Sequence, residues 1–157
     1  MLAHIKDESH VKKYPGFFPD DSLDPIRKDS NGIDAIICYS VFVYDSAAWD
    51  ILKFTDCVMQ IMNTGAHAIV GDCTNISKRK RFYDSASGKL LFDELKRKTN
   101  VIENPVFNVP EYGEPDDAVL ESVVQRCRSF GFEAYLVPQP EGLAMWWERE
   151  DILIQKP

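Results

Sequence analysis

The chain has 157 residues, 45% of them hydrophobic and 27% charged, and a formal net charge of −7 at pH 7. That size and balance suit one globular domain with its own core, and they exclude a fibrous, low-complexity or wholly disordered chain. The start, Met1 to Glu8, turns polar too early for a secretory signal and no apolar run reaches membrane-spanning length, while Cys38, Cys57, Cys73 and Cys127 lie apart among mostly apolar neighbours, as reduced buried thiols do. A cytoplasmic protein without membrane contact is expected.

Residues 1–32 contain Pro15, Pro19 and Pro25 with the aromatic cluster Tyr14, Phe17 and Phe18, and no sustained periodicity. This predicts an irregular arm, pinned by Phe17 and Phe18 to a single domain over 33–157. Ile33 to Tyr44 is a nearly unbroken apolar run, as expected of a central strand covered on both faces. Ser46 then caps a helix in which Ile51, Phe54, Val58 and Ile61 share a face, and Gly65 ends it. Ala66 to Gly71 reads as a second strand, followed by a polar turn over 72–75.

Next comes an island of positive charge. Lys78, Arg79, Lys80, Arg81, Lys89, Lys96, Arg97 and Lys98 face only Asp84, Asp93 and Glu94, a local +5 that leaves −12 for the remainder. Leu90, Leu91 and Leu95 recur at helical spacing, so Lys89 to Lys98 is predicted as an inserted helix with its cations in water. Val101 to Val109 reads as a third strand, confined by Pro105 to an edge or bulge. Pro115 opens a helix with Asp116 and Asp117 at its positive dipole end and Leu120, Val123, Cys127 and Phe130 as the buried stripe, and Gly131 ends it. Phe132 to Val137 and Leu143 to Trp147 then predict a hairpin. The element order contains the split βαβ pattern, so the expected fold is an α+β, ferredoxin-like sheet with helices on one face.

No catalytic residue, cofactor or metal site is assigned from these residues. Gly65 and Gly71 lack a following lysine in phosphate-loop spacing, His4 and His10 sit in the arm, and the cysteines have no short paired spacing. Cys73, in a predicted turn beside Asp72, supplies a nucleophile for a small-enzyme alternative, although six residues of extended chain separate it from His67. A nucleic-acid alternative places Lys78, Arg79, Lys80, Arg81, Lys96, Arg97 and Lys98 on phosphates and Phe82 and Tyr83 on bases, opposed at long range by the net charge. The candidate partner-binding set is Glu111, Tyr112, Glu114, Asp116, Asp117, Glu121 and Trp146, an acidic rim with aromatic anchors that fits a basic protein surface. In extended backbone Trp146 and Trp147 point to opposite faces and do not share a site.

The acidic segment from Glu111 to Glu121, the adjacent tryptophans and the lack of a catalytic motif give residues 33–149 a general resemblance to small acidic α+β immunity proteins of bacteria and to phage-encoded inhibitors. The resemblance implies a non-catalytic protein that masks a basic surface on another protein. Opposite charges on one molecule also fit a homo-oligomer. Nucleic-acid binding is the second reading and the Cys73 enzyme the third.

Overall fold

The computed structural model describes residues 5–6, 8–42, 51–99, 106–107, 109 and 113–157, apart from the side chains at 92 and 95–99. In chain order these residues form α1 (Leu23–Asp29), β1 (Ile33–Tyr39), α2 (Ile51–Ile61), β2 (Met62–Thr74), α3 (Ile76–Asp84), α4 (Ala86–Thr99), α5 (Asp117–Ser129), β3 (Glu133–Pro138) and β4 (Arg149–Gln155). The strand order is β1-β2-β4-β3. β1 runs parallel to β2, and β4 runs antiparallel to both β2 and β3, so three strands share a direction and β4 opposes them. What holds of the ferredoxin-like expectation is the mixed α+β architecture. β1 and β2, joined through α2, are direct neighbours, whereas the parallel strands β2 and β3 have β4 between them.

The core lies on one face of this sheet. Phe54, Val58 and Met59 of α2 and Leu120, Val123, Val124 and Cys127 of α5 pack on Ala66, Ala68, Val70, Ala134, Ile152 and Ile154. Both helices carry apolar residues three and four positions apart, and the alanines let their backbones approach the sheet. Burying each Leu or Ile stabilises the fold by about 1.5–3 kcal/mol. α5 begins on Asp116, whose carboxylate accepts the Val119 N–H, and is followed by Phe130 as its C-cap. Phe130, expected in the buried stripe, is instead exposed beneath the Arg126 guanidinium at 5.4 Å.

Several expectations are corrected by this arrangement. The arm contains a helix, α1, and is docked by Phe18, edge-on to Phe54 at 5.2 Å, and by the 2.6 Å ion pair of Asp20 with Lys53. Phe17 is 68% exposed and is not buried with it. Among the described residues β1 is an edge strand rather than a central one, because an unbroken apolar run has the same pattern whether its second face is covered or open. Gly65 lies inside β2 and does not terminate α2. The polar residues after Gly71 extend β2 to Thr74 through a register shift opposite β4. The strand partner of β3 is Arg149–Gln155, and the stretch 143–147, expected to be extended, is a series of turns. The third-strand expectation falls largely outside the described residues; Val106, Phe107 and Val109 are exposed and belong to no strand. Position 46, the expected cap of α2, also lies outside them.

The basic island forms two helices, of which α3 was not foreseen. Asn75 caps it, its side-chain oxygen accepting the N–H groups of Ser77 and Lys78. Gly88 permits the turn into α4: a Cβ there would lie 1.9 Å from the Phe82 carbonyl oxygen.

Candidate functional site

The cations of α3 face their own chain. Arg81 pairs with Asp117 through both terminal guanidinium nitrogens, one of them at 3.1 Å, and Asn75 Nδ2 donates to the same carboxylate at 2.8 Å. These donors, Arg81 first, hold the Asp117 carboxyl below the usual aspartate range. Lys78 Nζ donates to the Arg149 carbonyl at 2.7 Å, and burial lowers its ammonium pKa. Arg79 approaches the buried carboxylate of Glu148 at 4.0 Å, and Lys80 donates to the Val109 carbonyl at 3.2 Å. Asn75, fully buried, ties α3, α5 and β4 together, since its Nδ2 also donates to Glu150. Much of the charge contrast written in the sequence is thus satisfied inside the molecule.

The predicted site residues are dispersed accordingly. Glu111 and Tyr112 lie outside the described residues. Glu114 and Glu121 are exposed, Asp116 caps α5 and Asp117 holds Arg81. Trp146 packs edge-on against Phe82 at 5.6 Å, and Trp147 stacks on the same ring at 5.6 Å and 21°. The two tryptophans therefore do share a site, because the backbone there turns instead of extending. Phe82 has its face covered, and Tyr83 leans on it at 6.1 Å. The side chains of Lys96, Arg97 and Lys98 are outside the description. Cys73 is fully buried, its thiol pushed up to about 12 by burial and donating to the Val70 carbonyl at 3.5 Å. A thiol in that state supplies no thiolate near neutral pH.

The residues that sequence reasoning missed lie on the other face of the sheet. Ile37 of β1 pairs with Ile69 of β2, Ile69 with Leu153 of β4, and Leu153 with Tyr135 of β3. Partners in register share a face, so these four side chains form one row across the whole sheet. Ile37 is 80% exposed and Tyr135 and Leu153 are exposed as well. One adjacent row is Ala35, His67, Gln155 and Glu133.

On the other side of the apolar row, at the carboxyl ends of the three parallel strands, lies a polar corner. Gln139 Nε2 donates to the Tyr39 hydroxyl at 2.8 Å and to Asp151 Oδ1 at 3.0 Å, and the Asp72 N–H donates to the same oxygen at 2.9 Å. Ser40 Oγ donates to Asp72 Oδ2 at 2.7 Å. Arg149, buried below, sits 3.8 Å from the other Asp72 oxygen and donates to Thr74 Oγ1 at 2.6 Å. Burial first, then the Asp151 and Asp72 charges, push the Tyr39 phenol up. Ser40 and Asp72 both adopt left-handed backbone, at φ 59° and 61°, where non-glycine residues are uncommon. Gly71 is required here: a Cβ would come within 2.4 Å of the Tyr39 ring, which lies against it. Ligand sites of open sheets with parallel strands form at this end. Among the described residues, no group of three or more His, Cys, Asp or Glu is placed to hold a metal ion.

No helix among the described residues is long and apolar enough to cross a membrane. The chain matches no protein-family model and no curated protein at a significant level.

Proposed function

We propose that the chain is a non-catalytic protein-binding protein of the inhibitory type, which lays the open face of its sheet on a basic surface of another protein. The observation that carries this reading is the row Ile37, Ile69, Leu153 and Tyr135. A sheet with one face in water normally alternates apolar inside with polar outside, yet here one outward row across the four strands is apolar too. A contiguous apolar patch with a polar rim marks an interaction surface. Glu133, Asp72 and Asp151 stand on that rim, and with a net charge of −7 they favour encounter with a basic partner. Within the acidic segment first assigned this role, Asp116 and Asp117 serve α5 and Arg81, and of its described residues Glu114 and Glu121 are the exposed acids.

The test is affinity purification from cells that make the chain natively, comparing it with the double variant Ile37→Asp, Leu153→Asp. A stoichiometric protein held by the parent and lost by the folded variant supports the reading. Absence of any such protein, or capture undiminished by the variant, ends it. Light scattering of the purified chain distinguishes self-association through the same face.

A further inference from the structure

We infer that the corner of Tyr39, Asp72, Gln139 and Asp151 is a guanidinium site, and that the partner of the open face inserts an arginine there; the identity of the donor, though not the chemistry of the corner, rests on the protein-binding reading above. Three observations converge on it. Asp151, partly buried, accepts only neutral donors, the Asp72 N–H and the Gln139 amide, and has no ion-pair partner among the described residues. Gln139 is 4% exposed, and while its nitrogen bridges Tyr39 and Asp151, its oxygen is buried with no hydrogen-bond partner. An acceptor left in that state asks for a donor. The third observation is the Tyr39 ring, partly exposed and seated on Gly71 at the margin of the apolar row.

A guanidinium answers the carboxylate and the ring directly, and a turn of the buried Gln139 amide brings its free oxygen to the same ligand. Its charge complements Asp151, its five N–H donors reach more than one acceptor, and its plane stacks on an aromatic face. Lys78 acts on Asp151 only from a distance, so neutral ligands leave the carboxylate with no contacting cation, and anions are repelled by Asp72 and Asp151. Arg149 already pairs with Asp72 from below at 3.8 Å and with Glu148 at 3.3 Å, and it donates to Thr74 Oγ1, the Asp72 carbonyl and Met145 Sδ, which leaves Asp151 as the corner acid for a second guanidinium. The position of the corner beside the row Ile37, Ile69, Leu153 and Tyr135 makes it the charged end of a mainly apolar contact. A partner that combines apolar side chains with an arginine matches both parts.

The probe is N-acetyl-arginine amide, titrated into the full chain by NMR, with N-acetyl-citrulline amide as its neutral isostere. The expected result is a saturable shift of the Tyr39 ring and Gln139 side-chain amide signals, with a Kd on the order of 1–10 mM for so small a ligand. Citrulline amide should give none, and Asp151→Asn should weaken binding at least about fivefold. That variant keeps an oxygen for the Asp72 N–H; should it fail to fold, Tyr39→Leu at a partly exposed position gives the same reading. No saturable shift, an equal response to citrulline amide, or undiminished binding in the variants overturns the inference. A partner protein that needs Ile37 and Leu153 but binds Asp151→Asn as tightly as the parent refutes the corner and leaves the docking face standing. Binding of arginine amide without any partner at the face upholds the corner and sinks the protein-binding reading.

Discussion

Replacing Asn75 by alanine should cost about 3–5 kcal/mol of stability. Losing the side-chain cap of α3 accounts for about 1 kcal/mol. Each lost hydrogen bond from Nδ2 to a carboxylate, Asp117 or Glu150, adds about 1.5–3 kcal/mol when buried. The lower end applies, since Asp117 keeps Arg81 and both acids can recover water. For a chain of this size the loss corresponds to a fall in Tm of roughly 6–20 °C. Urea denaturation followed by far-UV circular dichroism measures it, with an unchanged m-value showing that the unfolded reference is the same. A loss below about 1 kcal/mol, no more than an exposed cap gives, would falsify the claim that Asn75 joins α3, α5 and β4 into one unit.

Other consequences follow from the same contacts. The lowered carboxyl of Asp117 means that the unfolded chain binds more protons between its folded and unfolded pKa values, so this contribution is present above the ordinary aspartate range and is lost as pH falls through the folded value. The stability gap between the parent and Asp117→Asn should therefore close on acidification; a gap independent of pH between 6 and the acid limit of folding contradicts the pairing. Cys73 should resist iodoacetamide at pH 8 in the native chain and react once urea unfolds it, and labelling at the rate of a free thiol would reopen the nucleophile reading. Gly71→Ala should displace the Tyr39 ring and cost about 1–3 kcal/mol by overpacking, with loss of the Gln139 hydrogen bond visible in the side-chain amide spectrum. An unmoved Tyr39 signal would show that the ring does not depend on glycine there.

What the sequence disclosed depended on how far each signal is local. The apolar stripe of Phe54 and Val58 and that of Leu120, Val123 and Cys127 announced α2 and α5, because helical spacing is written in neighbouring residues. The run from Ile33 announced a strand but not its exposure, since whether a second face is covered depends on chain elements far away. α3 stayed hidden among Lys78, Arg79, Lys80 and Arg81: with only Ile76 buried, its place is set by the Asn75 cap and by ion pairs across the chain. The island looked available for an outside partner because charge counts do not show that Asp117 and Glu148 wait for it in space. The open-face row was present in Ile37, Ile69, Tyr135 and Leu153, each at an outward position of its strand, but only register aligns them. An earlier sign was available in β4, where Ile152 and Ile154 alternate with Leu153 instead of with polar residues.

The central claim is that the open sheet face is the docking surface, and site-directed photo-crosslinking tests it most directly. A benzophenone amino acid placed at Ile37 or Leu153 should form a discrete adduct with one partner protein in the native host, while the same group at Glu121, exposed on α5, should form none. Adducts from position 121 with none from 37 or 153 would contradict the account and return the interaction to the acidic end of α5.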